Sequence, residues 1–217
     1  MKLINILMVL LFTFLLSMGF IVTASASVVN SAHDLSTRPG TVETDKICAF
    51  CHIPHHAKNE TVLDYNPLWS AGVQTSTSFI PYTSATLDAD MTGDPLVGPS
   101  RLCIGCHDGT IAVDIALKAD SNRMIAPPVR IGVGATLASD HPIGFDYIAA
   151  AAADVEIQPA TTGFAAGTIA DYLFNSGAEQ IMTCATCHDV HEQGGPHEQF
   201  LYVNNTGSAL CLSCHIK

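Results

Sequence analysis

One stretch of the chain sustains an apolar run, from about Leu3 to Val22, interrupted only by Asn5, Thr13 and Ser17. It follows Met1-Lys2 and ends in Thr23-Ala24-Ser25-Ala26, with small residues at both cleavage-specifying positions. This pattern predicts a secretory signal peptide over 1–26, cut after Ala26. The run is longer than an ordinary signal core, so an uncleaved membrane anchor is the rival reading. The Ala-x-Ala ending favours cleavage, no second such run follows, and no stable membrane span is expected once the leader is removed.

Beyond the leader the apolar pattern is weak. Residues 59–99 run through Tyr65-Asn66-Pro67-Leu68-Trp69 into a Thr/Ser-rich stretch without a period of 3.6. Tyr147 to Val155, Y-I-A-A-A-A-A-D-V, is the best helix candidate by propensity, with a packing role. Residues 27–217 are read as a single domain of about 190 residues. The segment around His33-Asp34-Leu35-Ser36 reads as an extended arm, rich in Ser, Thr and Pro.

Composition changes this picture. There is one tryptophan, Trp69, and charged residues make up only 13% of the chain, so side chains alone supply little of a core. The 20 acidic residues outnumber the 9 basic ones, for a formal charge of −11. That balance argues against nucleic acid or anionic lipid as a partner.

The eight cysteines fall into four copies of one pattern: C-A-F-C-H at 48–52, C-I-G-C-H at 103–107, C-A-T-C-H at 184–188 and C-L-S-C-H at 211–215. Two thiols separated by two residues can each form a thioether with one porphyrin, and the next histidine is held under the iron. Cys48, Cys51 and His52 make the first such site; Cys103, Cys106 and His107 the second. Cys184, Cys187 and His188 make the third; Cys211, Cys214 and His215 the fourth. The cofactor implied is haem c, four per chain, and no thiol is left over for a disulfide. Paired zinc ribbons also use C-x-x-C, but a four-thiolate zinc site does not need histidine after every second cysteine. Covalent haem attachment takes place outside the cytoplasmic membrane, which agrees with the leader. Without haem the chain is expected not to fold.

Four irons have eight axial positions, and the motif histidines His52, His107, His188 and His215 fill four. His33, His55, His56, His141, His191 and His197 remain, so supply exceeds demand. His55 lies three residues after His52, on the same side of a helical turn, and cannot reach round to the far face of the same haem. If it binds iron, it binds another haem. His191 stands in the same relation to His188. The second motif has no histidine three residues on, and His141-Pro142 is the obvious distant donor, with proline stiffening the turn that presents it. His33 is a further candidate, His56 a surface residue, propionate partner or donor to another subunit, and His197 a weak candidate. Fully ligated iron leaves no open position for substrate, so electron transfer is expected and an enzyme is not. A multihaem reductase, which needs one five-coordinate haem beside acid/base residues, is the competing class.

The order of these blocks resembles a known group. His33-Asp34-Leu35-Ser36, C-A-F-C-H-I-P-H-H, Asn66-Pro67-Leu68-Trp69, C-I-G-C-H-D-G-T, His141-Pro142, C-A-T-C-H-D-V-H, Phe200-Leu201 and a terminal C-L-S-C-H are similar to the tetrahaem cytochromes of the OmcE type. Members of that family polymerise into extracellular cytochrome nanowires. The resemblance implies a multihaem cytochrome c fold, mostly irregular coil with a few short helices, organised around four covalently bound haems. It implies bis-histidine ligation with His33, His55, His141 and His191 as distal ligands. It also implies a homo-oligomer, a helical filament in which one axial histidine passes between subunits, with other redox proteins or an extracellular acceptor as partners. The location implied is extracellular or at the cell surface; the alternative is a soluble monomeric periplasmic tetrahaem shuttle.

Overall fold

The computed structural model describes residues 28–191 and 200–216. The leader over 1–26 and His197 lie outside the described residues. Among the described residues regular structure is sparse: four short α-helices, four strands of two or three residues, and 3-10 turns, joined by coil. Helix α1 spans Pro99–His107, α2 Tyr147–Ala153, α3 Cys184–Cys187 and α4 Ala209–Cys214. Strands β1 (Gly163–Phe164) and β2 (Gly167–Thr168) form one antiparallel hairpin, and β3 (Phe174–Ser176) and β4 (Glu179–Ile181) another. Among the described residues no helix is long and apolar enough to cross a membrane.

Helix α1 is the best-anchored element. Pro99 occupies its first turn, where the missing N–H costs nothing. The preceding Gly98 has a positive φ of 66° and gives its N–H to both oxygens of Asp64, at 2.9 and 3.1 Å. A side chain at Gly98 would run into the Phe174 ring, so glycine is required there by both φ and space. Arg101, on the same helix, is buried. It pairs with Asp94 and donates to the carbonyls of Gln74 (2.6 Å) and Ser76 (3.0 Å), so the charge is compensated by neighbours distant in sequence.

The alanine-rich stretch forms helix α2 as its propensity predicts. Asp146 caps it by accepting the Ile148 N–H at 3.0 Å. It ends at Ala153, two residues short of the sequence expectation, because Asp154 turns extended. Tyr147 and Ala150 face a cluster with Phe145, Phe164, Ile169, Leu173 and Met182. A smaller cluster of Phe79, Leu96, Ile104 and Leu137 lies under α1. The described residues therefore form two apolar clusters of their own.

Two local expectations differ from the structure. The residues after the first motif do not continue as a helical turn: helical geometry stops at Cys51, His52 is extended and bridged to Trp69, and His56 has φ 64°. The segment around His33 is a set of turns, not an extended arm. Asp34, almost fully buried, accepts hydrogen bonds from the Asn30 N–H and the Ser36 hydroxyl and holds His33 in place.

Candidate haem sites

Each C-x-x-C-H motif sits on one helical turn, which brings both thiols to one side. In three of them the histidine N–H closes the turn onto the first cysteine's carbonyl: His52 to Cys48 (2.8 Å), His188 to Cys184 (3.1 Å) and His215 to Cys211 (2.8 Å). The chain then goes extended at the histidine, and a distant segment pairs with it.

That pairing is the same at three sites. His52 bridges Trp69, His188 bridges Leu201 and His215 bridges Ile157. The residue after each histidine donates to the residue before its bridge partner: Ile53 to Leu68 (2.9 Å), Asp189 to Phe200 (2.8 Å), Ile216 to Glu156 (2.7 Å). The residue after the bridge partner donates to the second cysteine: Ser70 to Cys51 (2.8 Å), Tyr202 to Cys187 (3.1 Å), Gln158 to Cys214 (2.8 Å). Leu68 and Phe200 both have φ 59°, an unusual conformation for residues with side chains, so the first and third cradles match even in their strained position. At the second site His107 remains helical, and the Ile131 N–H binds its carbonyl at 2.9 Å.

Each motif uses its two intervening residues differently. Phe50, Gly105 and Thr186 are buried, and a Cβ at Gly105 would lie 2.6 Å from the Gly72 carbonyl oxygen. Sequence reading treated these positions as spacers; only the packing of α1 against the 72–74 segment reveals why glycine stands there.

The imidazole rings are oriented for metal binding through Nε2. His52 Nδ1 lies 2.7 Å from the Pro67 carbonyl, His107 Nδ1 3.1 Å from that of Val129, and His141 Nδ1 2.9 Å from that of Pro142. A carbonyl only accepts, so each Nδ1 carries a proton, and in the neutral ring that leaves the Nε2 lone pair free. This is the outer hydrogen bond that metal-bound histidines make. The sequence carried one signal of it, the Asn66-Pro67-Leu68-Trp69 block. Asn66 accepts the Trp69 N–H at 2.8 Å, Trp69 sets its ring edge-on to His52, and Pro67 supplies the acceptor.

Three motif histidines each face one histidine from outside the motifs. Ring centroids are 6.1 Å apart for His52 and His191, 6.1 Å for His107 and His33, and 6.4 Å for His215 and His141. A histidine nitrogen binds a metal at about 2 Å, and the ring centre lies about 1 Å beyond, so two imidazoles on opposite sides of one iron have centroids roughly 6 Å apart. The spacing fits. His191 thus faces the first motif and not the adjacent third, His33 faces the second, and His141 faces the fourth, not the second as the spacing of the blocks had suggested. The chain brings His141 there because residues 156–158, shortly after α2, pair with the backbone of His215 and its neighbours. His55 and His56 are exposed, and among the described residues no ring contact joins either to a second imidazole.

Burial acts on these groups in the direction the cofactor needs. It holds the His33 imidazole down at about 4, with the charges of His107 and Arg38 adding to the effect, so the ring is neutral and able to ligate. Its Nδ1 is buried without a partner among the described residues. His141, open on one side, is likewise held below its ordinary value by the atoms packed around it. Burial, aided by Cys48, pushes the Cys51 thiol up to about 11. Burial pushes Cys106 up to about 12, with Cys51 and Asp108 adding, and Cys187 to about 12, with Cys214 adding. A hydrogen bond to Cys184 and burial push Cys103 up. These thiols are neutral and apolar, the environment suited to thioethers. Their mutual influence also sets an order: the first motif neighbours the second, the second the third, and the third the fourth.

Leu68, Val129, Ile131, Val190, Leu212 and Ile216 are exposed apolar residues set beside the motif histidines, surface that a porphyrin would cover. Among the described residues no three His, Cys, Asp or Glu donors gather round a point that could hold a bare metal ion. The residues present fit haem.

Comparison with known families agrees. The family model described as the doubled CXXCH motif matches residues 177–217, the segment holding the third and fourth motifs, and indicates a multihaem c-type cytochrome. The doubled motif supports haem-based electron transfer, and the mostly coil architecture with a few short helices is consistent with that class. No curated protein matches the chain.

Proposed function

We propose that this exported protein conducts electrons through four c-type haems, each held between two histidines, and that it serves as the repeating subunit of an extracellular filament. Haem supplies reversible one-electron chemistry at iron. The chain supplies two thioether anchors and a proximal histidine at every motif, and it orients the rings by hydrogen bonds from Nδ1. Bis-histidine closure excludes a substrate position, so the protein is a carrier and not an enzyme.

The observation that carries this reading is the set of three imidazole pairs, each joining one motif histidine to one outside the motifs at 6.1 to 6.4 Å. The order of neighbouring motifs supports a continuous path from the first haem to the fourth. With His33, His141 and His191 assigned, His55, His56 and His197 remain for the iron held by His188, and of these the resemblance to the OmcE-type cytochromes implies His55. Its exposure suits donation to an adjacent subunit, and repetition of that contact without ring closure builds a filament.

Haem-loaded protein with His191→Ala is expected to show one high-spin haem among four, by electron paramagnetic resonance; four unchanged low-spin signals would remove His191 from the ligand set. His55→Ala is expected to abolish filaments in electron micrographs of secreted material while single subunits persist. Wild-type material that never forms filaments would instead favour the soluble shuttle, and a high-spin haem in the wild type would favour the reductase.

A further inference from the structure

The cations are distributed unevenly. Between Ile131 and Ile216 there is no lysine or arginine, although aspartates and glutamates recur throughout that stretch. Three of the arginines before it gather round the second motif. Arg38 donates to the Ala32 carbonyl at 2.6 Å, next to His33. The Arg123 guanidinium carbon lies 3.7 Å from where a Cβ of Gly40 would stand, on the turn that Arg38 begins. Arg130 packs against Gly109 so closely that a Cβ there would lie 2.5 Å from its Nε. Its neighbours Val129 and Ile131 hold the ring and the carbonyl of His107. Arginines therefore stand on both the His33 side and the His107 side of the 6.1 Å gap.

Among the described residues none of these three arginines forms an ion pair with a carboxylate, whereas Arg101 is matched to Asp94. The buried carboxylates nearby are satisfied by neutral donors. Asp34 takes Asn30 and Ser36, Asp108 takes Gln74 and Thr110, and Asp114 takes Val42 and Ser121. Arg38 gives one N–H to the Ala32 carbonyl and Arg130 gives its Nε–H to the Ile125 carbonyl at 3.0 Å, both neutral acceptors, so the guanidinium groups keep their charge and their remaining N–H donors for an anion. Each haem brings two carboxylates, and the arginine fork matches carboxylate geometry better than any other side chain.

We infer that Arg38, Arg123 and Arg130 bind the propionates of the haem held by Cys103, Cys106 and His107, and that they make it the first of the four to accept an electron. This rests on the four-haem reading above. Reduction brings one electron from the electrode or donor protein and converts ferric to ferrous iron, removing one positive charge from the centre. Nearby cations favour that change and nearby carboxylates oppose it. The third and fourth motifs lie in the stretch from Ile131 to Ile216 that holds no lysine or arginine, with Lys217 following two residues after His215, so electrons entering the chain collect at the second haem, where three arginines stand, before leaving it.

The test is an electrochemical titration of the full, haem-loaded chain, with the haem reduced first identified by its paramagnetically shifted methyl resonances. The wild type is expected to show the second-site haem reducing first. In the double variant Arg38→Gln, Arg130→Gln that step moves to lower potential. In Arg38→Lys, Arg130→Lys it moves less, and in Lys118→Gln, an exposed charge on the 114–123 loop, it stays. The shift shrinks at high salt. If the double glutamine variant fails to load, Arg123→Gln replaces it, with a smaller shift in the same direction expected. An unmoved step in either loaded glutamine variant, or a different haem reducing first in the wild type, overturns the inference. Mass spectrometry of the peptide bearing Cys103 and Cys106 separates that failure from failure of the haem reading: a wild-type peptide without porphyrin overturns both.

Discussion

At His52 the chain is clasped by Leu68, Trp69 and Ser70; at His188 it is clasped by Phe200, Leu201 and Tyr202, through the same two hydrogen bonds and the same left-handed residue. Around these matching frames the two parts of the molecule differ. Residues 28–130 hold every described lysine and arginine, and their share of the smaller apolar cluster comes from Phe79, Leu96 and Ile104. Residues 131–216 hold no cation but contain α2, both hairpins and the larger cluster, with the aromatic trio Phe164, Tyr172 and Tyr202 in edge-on contact. The backbone cradle is thus independent of what lies behind it. What lies behind decides how far each region relies on its cofactors to stay folded, since a buried apolar side chain contributes about 1.5–3 kcal/mol and the carboxy-terminal region has more of them.

The largest effect follows from withholding haem. The sequence alone led to the expectation of no folding without haem, but the larger cluster narrows it: in chain produced without haem attachment, hydrogen exchange is expected to leave slowly exchanging amides only within 143–183, with residues 28–130 exchanging freely. Equal protection of both regions, or of neither, would dissolve the contrast. Next in size, Phe164→Ala removes a nearly fully buried ring from the larger cluster and is expected to cost about 3–5 kcal/mol in denaturant unfolding. Its loss should leave the second-site spectrum alone. Gly105→Ala should do the reverse. A Cβ 2.6 Å from the Gly72 oxygen forces α1 away from its neighbour, at about 1–3 kcal/mol, and should perturb the second haem's spectrum selectively. The smallest change, Val155→Ser at a position 89% exposed, should alter stability by no more than about 0.5 kcal/mol.

Much of the candidate site was legible in the sequence because covalent attachment calls for a local pattern: two thiols that reach the vinyl groups of one porphyrin, and a histidine directly after them, lie within five residues. The surplus of histidines was legible too, and the spacing led to the expectation that His191 serves a haem other than that of His188; in the structure its ring stands 6.1 Å from that of His52. That reasoning assumed a helical turn at His52 and His55; the turn is absent, yet the steric point survives because an extended chain reaches no further round the ring. Helix α2 was readable from alanine propensity, as a local property. The second helix-bearing motif was not, because α1 depends on Asp64 meeting Gly98 and on Asp94 meeting Arg101.

The sequence by itself determined the chemistry of attachment, the excess of imidazole and the sign of the charge, all of which are carried by residues close together or by simple composition. The tertiary structure alone decided that His141 faces His215, that His33 faces His107, that Pro67 and Val129 supply the acceptors, and that three arginines converge on one site. Those facts depend on contacts between segments tens of residues apart. Such contacts are selected by packing and backbone hydrogen bonding along the whole chain, and no short window of residues encodes them.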